Sequence, residues 1–600
     1  MKEENEPLDL VKLFYSQDID FKSLEFALEK RTTAAKNFSS YSLEPYRGDF
    51  GVAQKKHLLN RAVIGIAKRH LDDLDGLSLS EAIDLIFTEE TLQEPTNIYY
   101  HNITPEEFLE AFGSEDVGPN EPFKDELILD RELLNCGFRH DATWSVFYDG
   151  AYSQNTSVHW KLFLFLHNLV PVNFEGDDKQ IFEYIELLFN TCFASYKDLI
   201  FDITTHVQML RYLNLALSKK DTPDENYARE IQELFTQGKR PTTQFTEEDV
   251  RGIARALVGW TIDGDQRGDY GVFLPWNHDT GDKQFSSYYN NRVIRGRSGD
   301  AGAEELQEVV DMLFDTEQSA QYMVRRLYQF FVYPVITDEI ETMIIQPLAV
   351  VYRDSNFCIA DPLKILLASE HFYSNEIPNS IIKGPIDYLI GLMKEVDIKN
   401  GVLYHWNGER HVYGNFETDY FDDKEKDPSY IKFEMTSRLM TDSNNLGMRF
   451  HFPPSVSGWP AYYQSPVYDL FWMNSTTSPL RARIADSYFR NGMYIQTYKN
   501  DTNVPLRVNY SDYLRTFENP YDVNSFIEEV LTRFLSVSIS TRTLNRLKST
   551  LLGGNSEIHW NDDVQNLLSD TPLINDYHNM NKRIGLTLSL IATLGEYNLH

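Results

Sequence analysis

The chain has 600 residues, 42% hydrophobic and 24% charged, the balance of a folded globular protein and not of a disordered one. Its formal net charge of −34 argues against nucleic acid and anionic membrane surfaces, because a duplex binder needs a basic footprint from which to release counterions; cations, basic proteins and neutral polymers stay open. No run of about 18 apolar residues occurs, so no membrane span is expected, and Cys136, Cys192 and Cys358 lie too far apart for a CxxC pair, reading as buried thiols.

The acidic start, MKEENEPLDLVKLFYSQDID, lacks the basic n-region and apolar h-region of a secretory leader. It reads as cytoplasmic, or as exported if a leader has been removed. Residues 1–48 read as a polar N-terminal arm with a short helical pattern from Phe21 to Lys30. Residues 49–396 read as a helical core. Leu58, Leu59, Ala62 and Ile66 fall at helical spacing, and Ser78 or Ser80 caps the next helix. A Pro-rich loop region follows at 88–125, then helical periodicity at 126–136, 157–170, 179–200 and 205–218. Thr246 and Asp249 open a further helix with a capping-box pattern, and Gly259 ends it. More helices are expected at 303–315, 317–332, 338–353, 361–371 and 384–396. Residues 397–434 change character: VLYHW, RHVYGNF and YIKF alternate apolar with polar residues, which predicts a β-rich insertion. Residues 435–600 return to helix, at 435–441, 478–490, 521–535, 540–551 and 580–596, as the C-terminal part of the same body. The fold class expected is mainly α, a large multi-helix body with a small β-hairpin insertion.

Chemistry concentrates between His206 and Asp300, where 13 Lys/Arg meet 14 Asp/Glu, near neutrality in a very acidic chain. Four strings follow one another there: MLRYLN, DENYAREIQELFTQGK, FTEEDVRGIARALVGW and HDTGDK. Asn226, Glu230 and Glu233 fall at i, i+4 and i+7 and so share a helical face, where two carboxylates can bind a cation or act as general base. His278 and Asp279, in a polar turn, can supply a metal ligand or an acid/base pair. The catalytic candidates are thus Glu230, Glu233, His278 and Asp279. A divalent-metal site would combine His278, Asp279 and Glu230 with His167 and His206, and His57 is a further histidine that could converge on it. Arg229, Arg251, Arg255, Lys283, Arg295 and Arg297 are anion-binding candidates. Each set has a structural alternative, in which the arginines neutralise the carboxylates and the histidines are core residues. Trp459, Tyr462 and Trp472, around the rigid turn PPSVSGWP, either hold structure or line an aromatic groove suited to sugar rings.

The order of the four central strings resembles the bacterial domain-of-unknown-function family 1800. The resemblance opens at HLLNRA (His57 to Ala62), takes in FHFPPSVSGWP (Phe450 to Pro460, similar to the family's FNPPNVAGWP) and WMNSTT, and closes at RIGLTLSLIATLGEY, covering roughly residues 50–600. The family's FWHNHF is FLHNLV here, with Leu166 and Leu169 at its Trp and second His, and its DPAML is HVQML, with His206 at the usual Asp. If the family's HNH holds a metal, this chain lacks one ligand. The resemblance implies a protein partner from family 1501, whose members look like sulfatase or phosphatase relatives. Three functions follow as expectations: a non-catalytic assembly or binding protein, slightly favoured; a metal-dependent or acid/base enzyme using the Glu/His/Asp set; and a carbohydrate- or polymer-binding protein using the aromatic groove.

Overall fold

The computed structural model describes residues 29–93, 138–174, 178–239, 243–264, 270–398, 402–406, 411–414, 428–465, 467–496, 503–569 and 574–600. The helix expected at 126–136, Cys136, and most of the Phe21–Lys30 pattern and of the loop region lie outside the described residues. The fold is mainly α with small antiparallel sheets.

Helices form where local capping and periodicity agree. Ser78 caps Leu79–Ile86 in a capping box with Glu81. Thr246 and Asp249 do the same for Glu247–Leu257, whose Val250, Ile253, Ala254 and Leu257 are buried. The run expected as one helix at 179–200 is two, Asp178–Thr191 and Tyr196–Thr205; Ser195 accepts from Asp198 N and restarts the second. The 338–353 helix carries a π-turn at Glu341–Ile345 just before Pro347, where the missing N–H interrupts the α ladder.

The β region differs most from expectation. Val402–Trp406 and His411–Gly414 do form a hairpin, but it belongs to a four-stranded sheet completed by Met493–Gln496 and Asn503–Arg507. The later hairpin was not anticipated. Pro505 sits in an inner strand, paired with Tyr494 on one side and lying beyond the Val402 and Leu403 pairing on the other, so its missing donor costs no ladder bond there. YIKF is not a strand: Tyr430 to Phe433 lie in helix Pro428–Asn445, because four alternating residues cannot outweigh a long helical run opened by proline.

One hydrophobic cluster runs from Ala35 to Leu599. At its centre, helix His159–Leu169 is buried along its whole length. Phe147 stacks on Phe450 with ring centroids 3.7 Å apart, joining residues far apart in sequence. Helix Pro385–Glu395 is likewise buried throughout. It is reached by Gly65 (φ 65°), where a Cβ would stand 2.5 Å from Gly391 N. Arg31, from the expected arm, is fully buried and grips Asp469 with two hydrogen bonds of 2.7 and 2.8 Å.

Candidate functional site

The central strings fold back on one another. Helix Glu247–Leu257 feeds the hairpin Trp260–Asp263/Tyr270–Phe273, whose return brings His278 beneath the helix end. His278 is buried, with Nδ1 2.7 Å from Val258 O and Nε2 3.0 Å from Glu305 Oε1. Both ring nitrogens thus have an oxygen partner. Glu305 also accepts from Lys283 Nζ at 2.6 Å and from Arg297 N at 2.8 Å, while Lys283 Nζ donates again to Asp279 O. Burial works to raise the Glu305 carboxyl, but the hydrogen bonds from His278, Lys283 and Arg297 N more than offset it and hold it below the usual carboxylate value. His278, Glu305 and Lys283 therefore form a buried, mutually saturated charge cluster. Glu305 was not singled out in the sequence; an acidic residue in the first turn of a helix after HDTGDK was the only signal.

Asp279 turns the other way. It grips Arg255 at 2.7 and 3.1 Å and accepts from Gly281 N. Burial raises its carboxyl, yet Arg255 and the Gly281 N–H bring it below the ordinary value. The remaining anion-binding candidates also have carboxylate partners. Arg295 pairs with Asp282 and Arg297 with Glu304 and Glu308. Arg229 meets Glu225, Glu233 and Glu247, and Arg251 meets Glu225 and Glu248.

The Glu230 helix departs from ideal geometry. Asn226–Glu230 is α, but Ile231–Thr236 is a π-turn, so Glu233 is not stacked over Asn226 and Glu230 with simple α spacing. Buried Gln232 and Gln237 anchor the turn by accepting from Tyr289 and Tyr288 at 2.8 and 2.9 Å. Glu230 makes no hydrogen bond or ion pair among the described residues, and half-burial, with Glu233 adding to it, pushes its carboxyl up.

The histidines do not converge. His167 Nε2 lies 2.7 Å from Phe450 O, and His57 Nε2 lies 2.9 Å from Phe372 O; burial pushes them down to about 4 and about 3. His206 caps Val207–Tyr212 by accepting from Gln208 N, the task an Asp performs at an N-cap. Leu166 and Leu169 are core residues. Among the described residues, no group of three or more His, Cys, Asp or Glu side chains is arranged to hold a metal. Asn168 Oδ1 accepts from Trp459 N at 2.8 Å, and Gly458 (φ 77°) sits so close that a Cβ would lie 2.3 Å from Asn168 O. The HN string and the PPSVSGWP turn are therefore halves of one joint. Trp459 and Trp472 are 1% and 4% exposed, and half-buried Tyr462 packs on Phe330 at 4.6 Å.

A second polar region escaped the sequence reading. Lys56, Lys161, Lys383, Asp387, Glu395 and Arg533 are brought together inside the molecule, Lys161 and Asp387 being 226 residues apart and 2.5 Å from each other. Only the presence of Lys, Asp and Glu within apolar helical runs hinted at it.

A family model described as protein of unknown function (DUF1800) matches residues 57–598. No curated protein and no solved structure matches the chain.

Proposed function

Because the chain belongs to the DUF1800 family of unknown function, which hands down no reaction, we propose from the geometry that it is a non-catalytic binding or assembly protein. One observation carries this reading: the polar atoms of His278, Asp279, Lys283 and Arg255 are each already engaged by one another, by Glu305 or by backbone. A saturated buried charge cluster orders a fold, and freeing one member for chemistry would strand the others. Interaction chemistry lies beside it. Leu217 and Trp276, each 72% exposed, stand on adjoining turns tied together by Asn277, which bonds Ser218 O and Lys220 N. An exposed Trp beside an apolar neighbour suits a protein interface. The partner class that the family resemblance implies is a family 1501 protein. Trp276→Glu should abolish co-purification with such a partner at an unchanged melting temperature; undiminished capture would refute the interface. Elemental analysis of protein purified without chelators should find no stoichiometric metal, and a metal lost on His278→Ala would overturn the non-catalytic reading.

A second reading rests on Glu230, a half-buried carboxyl without a partner beside a π-turn. It makes Glu230 a general base, with Glu233 adjoining. Glu230→Gln would then abolish an activity without altering stability. The aromatic-groove alternative has less support, since the faces of Trp459 and Trp472 lie in the core.

A further inference from the structure

Helices Val52–Ala62, Pro385–Glu395 and Val523–Phe534, with the segment ending at His600, enclose a polar cavity in two adjoining compartments that share Asn60, Ser536 and His600. The inner one measures about 20 Å³ and the outer about 130 Å³. Gly65 and Gly391 make the inner wall, where their backbones approach too closely for a side chain.

Most charges of the inner compartment are matched. Lys56 Nζ donates to Thr532 O and Leu535 O, near the carboxyl end of helix Val523–Phe534, where a cation is favoured. Asp387 is held by Lys161. Glu395 faces Arg533 at 3.7 Å and accepts from Tyr513 OH at 3.4 Å. Lys383 is the exception. Its ammonium stands 4.1 Å from the centre of the Tyr597 ring, with no hydrogen bond or ion pair among the described residues. The Tyr597 hydroxyl, on a residue 4% exposed, has no hydrogen-bond partner there either. A cation and a hydroxyl thus border one narrow space with no acceptor assigned to them. The outer compartment is lined by neutral polar side chains, among them Gln54, Asn60 and Ser536. On its wall, Asn379 Oδ1 and Tyr373 OH are buried without partners.

We propose that this cavity binds a short hydroxylated carboxylic acid, its carboxylate received by Lys383 Nζ and Tyr597 OH and its hydroxylated body by the outer compartment. Two donors answer the two oxygens of a carboxylate, whereas a phosphate presents more oxygens and charge than one free ammonium and one hydroxyl can satisfy. The inner compartment has room for about one or two water-sized groups, which suits a carboxylate head. Buried acceptors such as Asn379 Oδ1 call for a donor from the ligand, which a hydroxyl supplies and a methyl does not. An ammonium without an anionic partner gains from an incoming anion. Burial, with Lys56 adding to it, pushes the Lys383 amine down to about 7, so carboxylate binding near neutral pH would draw a proton onto it. The proposal deepens the binding reading but stands on other residues; its failure leaves the argument from the His278 cluster intact, and a metal at that cluster leaves this cavity untouched.

Calorimetric titration of the full chain with sodium glycolate, and with acetate and phosphate for comparison, tests it. Saturable glycolate binding is expected, weaker for acetate and absent for phosphate. Lys383→Met and Tyr597→Phe should each weaken glycolate binding at least about tenfold, the scale of losing a hydrogen bond to a charged group. Absence of saturable glycolate binding, preference for phosphate, or unchanged affinity in both variants would overturn the assignment. Tyr597→Phe keeps the ring and its packing, so it decides the matter if Lys383→Met fails to fold.

Discussion

The His278 cluster and the Lys383 cavity are both buried assemblies of charge, yet they close differently. At His278 every charged side chain has a partner of its own: Glu305 takes the histidine, the lysine and a backbone N–H, and Asp279 takes Arg255. Around Lys383, two carboxylates are already engaged by Lys161 and Arg533, and one ammonium is left over. A complete cluster holds a fold together, while an incomplete one leaves free energy to be gained by a ligand. The same side-chain chemistry thus points to architecture in one place and to binding in the other.

The sharpest way to break this comparison is Glu305→Gln. It strips the shared partner from His278 and Lys283 and should destabilise the protein by about 3–5 kcal/mol, read as a lowered urea midpoint. A loss below about 1 kcal/mol would show the cluster to be no staple. Gly458→Ala comes next, at about 2–3 kcal/mol, because φ 77° disfavours a side chain and Asn168 O occupies its place. Asp279→Asn should cost no more than about 1 kcal/mol, since Arg255 and Asp279 are both partly exposed and water screens the pair.

Lys383→Met should have the opposite sign to Glu305→Gln, leaving stability unchanged or raised by up to about 1 kcal/mol, because it removes an uncompensated charge. Its pH signature follows from the direction of the shift. The folded amine titrates near 7, below the unfolded value of 10.5, so above pH 7 the unfolded chain binds more protons and wild-type stability rises with pH. The slope between pH 7 and 9 should flatten in Lys383→Met. Lys56, also pushed down to about 7 by burial, remains in both proteins and leaves part of the slope in place. The smallest effect is expected for Glu230→Gln, within about 0.5 kcal/mol, as no partner is lost.

Sequence by itself determined what is local. The helix start at Thr246 was legible because a capping box spans four residues, the start near Ser78 was legible only to within two serines, and the mainly α class followed from apolar periodicity. The turn at Gly458 was legible because few residues tolerate its backbone. The order of the central strings also identified the family. Tertiary structure alone decided which charges meet. Whether His278 faces a metal or Glu305, whether Asp387 holds Lys161 or Lys383, and whether Trp459 lines a groove or a core depend on contacts between residues tens to hundreds of positions apart. The four-stranded sheet hid for the same reason, its two hairpins being separated by helix Pro428–Asn445 and by residues 446–492. Periodicity shows that a side chain is buried; only the fold supplies its partner, and the partner determines whether a buried charge is structural or free to bind.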